Sequence, residues 1–256
     1  MTIRFSTGVR NALAQNAGVA RIFNRGSIQI YSGSQPATAD AAVTGTLLGT
    51  VTTASGALTA ETIPTGSVTL TGGASGSINT LTVGGLNIIP DGAVNFNTSL
   101  NQTASDLTDA INRNGMFRAT VAGAVVTIFP WGGSGTSFNG AVVTATLTTV
   151  TATYVNISGG VAPVNGLLFG QPSVGVVGKA PGQVWSFNGV AVGTAGWFRL
   201  IASAADAGGL VSGAPWPLRI DGSIATSGGD LNLSNIAIAV NTPATVDTFN
   251  FTVPAQ

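Results

Sequence analysis

The chain contains no cysteine and no histidine. The first absence removes disulfides and thiolate chemistry. Together they exclude Ser–His–Asp and Cys–His mechanisms, and zinc sites built from imidazole and thiolate. Charged residues make up 7% of the 256, against about 25% in an average soluble domain. Bases and acids balance at nine each, which argues against nucleic-acid binding. No run approaches the ~18 apolar residues of a membrane helix. Residues 1–4, Met-Thr-Ile-Arg, open no apolar segment. Neither a membrane span nor a signal peptide is expected. Charge this sparse gives weak mutual repulsion, and such a surface suits a subunit packed in an assembly better than a free protein.

What fills the chain instead is glycine, 36 residues of it, with threonine, serine, valine and alanine. Residues 26–51 set the pattern. Ser27, Ile28, Gln29, Ile30 and Tyr31 alternate polar with apolar, the period of a strand with one face in a core. A turn cluster at 32–36 ends in Pro36, which cannot donate to a ladder. Residues 46–51 read as a second strand. Two strands cannot bury themselves, and the segments that share their composition lie after residue 162. There, short strands recur between turn signals, as in a β-sandwich. Val246, Phe249, Phe251 and Val253 give the last strand.

The intervening residues have another pattern. Residues 67–77 form a Thr/Ser/Gly-rich strand region. Residues 78–89 read as a hairpin turning at Gly84-Gly85. Residues 103–114 give the clearest helix, with Ala104, Leu107, Ala110 and Ile111 on one face. Thr103 and Asp106 resemble a capping box, and the helix dipole accounts for Asp106 and Asp109 near its start. Residues 117–121 and 124–129 alternate across a second turn. Residues 141–155 make one long alternating run. The spacing predicts a mainly β fold: a discontinuous sandwich-like body (26–52 with 163–256) carrying an inserted α+β module (53–162). A partly helical N-terminal arm (1–25) would precede them. Ser6 caps its first helix, and so small an arm must lie on its own body or on another subunit.

The residues TLTVGGLNI, TASDLTDAINRNG and FRATVAGAVVTIF resemble the small module repeated in flagellar hook-associated proteins and in many phage structural proteins. Ala110-Ile111-Asn112 matches its AIN element, while Gly84-Gly85 departs from its VNG turn. Residues 26–52 joined to 163–256 resemble a family of phage structural proteins through IYSGSQPATADAAVTGTLLGTV, GTAGWFRL, RIDGSIATSGGDLNLSN and TVDTFNFTVP. These resemblances imply a virion part rather than an enzyme.

Other chemistry is thin. Asp106 and Asp109 are a carboxylate pair on one helix face. Asp221 and Asp230 flank a Gly/Ser segment that could hold Ca²⁺ or simply turn. Gly132-Gly133-Ser134-Gly135 lacks the lysine of a phosphate loop. Trp185, Trp197 and Trp216 could line a sugar-binding face or anchor the core. The reading is therefore a virion structural protein without cofactor or metal, most simply a capsid decoration or cement protein. Its partners would be the major capsid protein or tail proteins and its own copies, with no nucleic acid and no membrane. Arg4, Arg10, Arg21 and Arg25, which precede any acid, would be assembly contacts on acidic ground. A tail-associated subunit and a carbohydrate-binding adhesin are the alternatives.

Overall fold

The computed structural model describes residues 3–15, 17–113, 115–213 and 216–252. The chain is mainly β, built from antiparallel sheets, with a small helical content. It divides into two compact units, residues 1–61 with 163–256 and residues 62–162. In chain order the body begins with β1 (Arg4–Phe5), α1 (Thr7–Ala14), α2 (Val19–Phe23), β2 (Ser27–Ser32) and β3 (Leu47–Thr53). The insertion supplies β4 (Thr65–Gly72), β5 (Ser77–Val83), β6 (Leu86–Asn87), β7 (Val94–Asn95), α3 (Leu100–Arg113), β8 (Phe117–Ala122), β9 (Val125–Pro130), β10 (Val143–Thr148) and β11 (Thr151–Ser158). The body resumes with β12 (Val176–Gly178), β13 (Trp185–Asn188), β14 (Gly193–Ile201), β15 (Arg219–Ala225), β16 (Leu231–Asn232), β17 (Ala237–Ile238), β18 (Pro243–Thr245) and β19 (Asn250–Thr252).

The boundary falls at 61/62 rather than 52/53. Thr53 pairs with Trp185, Thr59 bridges Val164, and the Glu61 carboxylate accepts a bond from Ser203. Residues 53–61 are therefore tied to the body.

The body's main sheet runs β1-β15-β14-β2-β3-β13-β18, with β16 beside β15 and β17 beside β14. A ribbon of β12 and β19 lies against its aromatic side. Phe249, just before β19, packs its ring 5.6 Å from Trp185 and 6.3 Å from Phe198, and Phe251 lies 5.9 Å from Phe5. Glycine makes room for such rings. A Cβ at Gly49 would sit 2.2 Å from the Phe187 ring, and one at Gly222 would sit 2.6 Å from that of Phe198. Every residue of β15 but the last is buried, so that strand is covered on both faces and shows no alternation. The segment 221–230, read as a loop from its Asp-Gly, is strand as far as Ala225.

The N-terminal segment lies on its own body. Ser6 caps α1 by accepting from Val9 N, and its Oγ also accepts from Arg219 N at 3.0 Å. Val9, Ile22 and Phe23 are fully buried.

The insertion has two four-stranded sheets, β10-β5-β6 with β7 beside β5, and β11-β4-β9-β8. One cluster fills it: Ile78, Leu81 and Val83 from the first sheet, Val68, Leu70, Val126 and Ile128 from the second, Leu107 and Ile111 from α3. Gly84 and Gly85, at φ 57° and 84°, make the left-handed two-residue turn that joins β5 to β6. The helix begins three residues earlier than its capping-box reading, because Ser99 caps it instead, accepting from Gln102 N at 3.1 Å. Thr103 is inside the helix, and no acid stands in the first turn. The dipole therefore does not account for Asp106 and Asp109. The run 141–155 is two strands. Thr149, at φ 65°, breaks it, and β10 pairs with β5 while β11 pairs with β4. Asn114 and Val253, expected at the ends of α3 and of the last strand, lie outside the described residues. Among the described residues no helix is long and apolar enough to cross a membrane.

Candidate functional site

The four N-terminal arginines part company. Arg4 stands in β1 opposite Asp221, and its guanidinium donates to the Pro36 carbonyl. Arg10, Arg21 and Arg25 are exposed. Arg10 donates to Thr7 Oγ1 at 2.9 Å, and Arg25 takes a left-handed backbone, φ 61°, where its N–H meets Leu167 O. The body thus keeps three cations outward on one short stretch of chain.

Its acids behave differently. The Asp40 carboxylate accepts from Thr7 N at 3.0 Å and from Thr7 Oγ1 at 2.8 Å, at the start of α1, where negative charge is favoured. Asp230 accepts from Ser223 N and Oγ at 2.8 and 2.7 Å. Asp221 and Arg199, paired across β15 and β14, form a bidentate ion pair with both contacts at 2.7 Å. Both side chains are wholly buried. Arg219 forks onto Asp206, with Nε at 2.6 Å, and also donates to Gly209 O at 2.9 Å. Arg199 and Arg219 both reach the Ala41 carbonyl. The network ties the loops around 41 and 206–209 to the centre of the sheet.

Burial raises the Asp221 carboxyl despite the bonds from Arg199. Burial pushes Asp206 up as well, but the Arg219 and Gly208 hydrogen bonds outweigh it and hold that carboxyl below its ordinary value. Tyr31 stacks on Trp197 at 4.6 Å, and burial raises its phenol above the ordinary value. Carboxylates held on both oxygens by a guanidinium are placed for structure, not for proton transfer.

The remaining sequence candidates are not brought together. Asp221 and Asp230 face different partners, so their segment builds no Ca²⁺ cradle. Among the described residues no group of three or more acids could hold a metal ion. Trp185 and Trp197 are wholly buried and offer no stacking platform to a sugar. Asp106 accepts from Asn97 and Gln102 at 2.8 and 2.9 Å. With Asp109, Arg113, Asn95 and Phe96 it lines an open groove of about 480 Å³.

Sequence reasoning flagged Asn112 only as part of a motif. Its amide faces the free edge of β8, accepting from Ala119 N at 2.8 Å and donating to Ala119 O at 3.2 Å. β8 ends its sheet, and an open edge invites pairing with another chain. Asn112 reproduces a ladder step and closes that edge at its middle. The signal was available: an asparagine on the last turn of a helix, a few residues before a strand.

No family model matches the chain, and no curated protein matches it.

Proposed function

We propose that this chain is a structural subunit of a tailed-phage virion, acting as a capsid decoration or cement protein that binds by surface complementarity. The observation that carries the reading is the direction of its charges. Asp40, Glu61, Asp206, Asp221 and Asp230 are each bonded within the body, while Arg10, Arg21 and Arg25 face outward with, among the described residues of the body, a single exposed acid that makes no such bond, Asp247. What remains outside is neutral and apolar in places: Val174 is 98% exposed, Val192 76% and Leu210 72%. Val174 is also left-handed, φ 49°, a conformation unfavourable for a β-branched residue. Such a surface is suited to being covered by neighbours. The outward arginines match acidic ground on a shell, and the resemblance to phage structural proteins gives the class. The test is location. A tagged copy imaged in purified particles is expected at hundreds of lattice positions. A dozen copies in a ring would transfer the role to the tail, and absence from particles would refute both.

A further inference from the structure

The sheet β11-β4-β9-β8 turns one face to the aliphatic core. Residues opposite one another in register share the other face: Val155, Ser67, Thr127 and Thr120 in one row, Arg118 with Phe129 in the next. That outward face carries threonines, exposed valines (Val155 58%, Val125 36%), the half-buried Phe129 ring and a single charge. Arg118 is that charge. Its guanidinium carbon lies 4.9 Å from the Phe129 ring centroid and 4.6 Å from that of Trp131. Trp131 is pinned in turn, its Nε1 donating to Gly115 O at 2.9 Å.

The arginine is held without being satisfied. Its Nε is buried with no hydrogen-bond partner, and among the described residues it has no ion-pair partner, whereas Arg113 meets Asp91 at 3.4 Å. Burial lowers its pKa to about 10, so it stays charged at neutral pH. With Nε shut away and the plane fixed by two rings, the two terminal guanidinium nitrogens are a preorganised fork for a carboxylate. Arginine beside phenylalanine on an otherwise uncharged face, backed by the buried Trp131 ring, has the composition of an interface centre.

We propose that this face is a docking surface for a second, different protein that presents a side-chain carboxylate to Arg118. Charge decides the occupant. A symmetric copy would set Arg118 against Arg118, and the face holds no acid to answer it. A polyanion is disfavoured, because the insertion carries two bases against three acids and a lone fork matches one carboxylate. Asn112 blocks the edge of β8, so the partner sits on the face and does not extend the sheet. The proposal leans on the assembly reading only for there being a partner, and its test reads the face itself.

The immobilised full chain is exposed to short Thr/Val/Asn peptides that differ only in a central Glu, Gln, Lys or phosphoserine. The Glu peptide is expected to bind about tenfold tighter than the Gln and Lys peptides, the effect of one charge-assisted bond. Arg118→Gln should lose that preference, and Arg118→Lys should not restore it, since an ammonium offers no fork. Equal retention of Glu and Gln peptides, no retention of either, or wild-type binding by Arg118→Gln overturns the proposal. So does phosphoserine outbinding Glu tenfold, or a homodimer that Arg118→Gln dissolves. If Arg118→Gln unfolds the hairpin, the wild-type chain decides alone. Free glutarate must displace the Glu peptide where sodium chloride of equal ionic strength does not, and failure to displace it counts against the idea. Location of the protein in a particle is a separate result, so either conclusion can fail without the other.

Discussion

In the body the largest fully buried side chains include Trp185, Trp197, Arg199 and Arg219. In the insertion the buried cluster is valine, leucine and isoleucine around α3, with Phe117 its one ring. The body joins segments far apart in sequence, β1 to β15 and β2 to β14, and fastens their loops with buried ion pairs. The insertion also joins distant strands, β4 to β11 and β5 to β10, but around an aliphatic core, with Asp91, Asp109 and Arg113 exposed and no buried ion pair among its described residues. Aliphatic packing is forgiving of small changes of shape. A buried ion pair is not, because removing one partner strands the other in a medium that cannot solvate it. One chain therefore holds a region that tolerates substitution beside one whose centre does not.

Asp221→Asn should break this comparison hardest. It leaves the Arg199 guanidinium buried without a counter-charge, at a cost of about 3–5 kcal/mol. Denaturant unfolding should show the loss, with hydrogen exchange accelerated in β14 and β15. A variant that unfolds at the wild-type midpoint would mean that the pair is not what fastens the sheet. Leu107→Ala is the counterpart in the insertion. It removes a wholly buried side chain and should cost about 2–5 kcal/mol. Exchange should speed up in α3, β8 and β9 while β14 and β15 keep their protection. Equal loss of protection in both regions would show that the two units do not unfold separately.

The same contrast explains what could be read from the sequence. The insertion was legible because its signals are local: Gly84-Gly85 for a turn, Ala104, Leu107, Ala110 and Ile111 for a helix face. Errors there were of detail, since Ser99 competes with Thr103 for the cap and Thr149 breaks a run whose alternation continues through it. The body's strands could be seen, but not their order. Nothing in the composition of 219–225 says that its carboxylate meets Arg199 on a neighbouring strand. An aspartate beside a glycine reads as a turn unless the partner guanidinium is known. Arg118 was equally hidden, because Trp131 lies past the strand that carries Phe129 and no spacing rule aligns three residues on two strands.

Asn112→Ala tests the seam between helix and sheet. It removes both bonds to Ala119 and leaves that edge step open, for about 1–3 kcal/mol. The loss should appear in exchange of β8, with concentration-dependent association through the uncovered edge. Asn112→Asp keeps the acceptor and loses the donor, so it should fall between. If Asn112→Ala neither destabilises nor associates, the edge is protected by something else.

Acid sharpens the contrast more gently. The folded Asp206 carboxyl is held below its ordinary value, so its pairing stabilises fully above the unfolded pKa, near 4. That contribution is lost as pH falls through the folded value. Asp206→Asn should therefore flatten the decline in stability below about pH 5. Equal slopes in wild type and Asp206→Asn would remove Asp206 from the account.

The smallest effect on stability belongs to the outward cations. Arg10 and Arg21 lie on α1 and α2, whose buried faces are Val9, Ala12, Ile22 and Phe23, so reversing both charges leaves the packing alone. Arg10→Glu with Arg21→Glu should shift stability by only about 0.5 kcal/mol, as exposed substitutions do. The Ser6 cap and its bond to Arg219 are untouched. If these side chains meet acidic ground on a neighbour, the same double variant should bind purified particles far more weakly, and wild-type binding should fall with added salt. A variant that binds particles as well as the wild type, at low salt and with its fold intact, would detach these arginines from assembly and leave the insertion's Arg118 face to carry recognition.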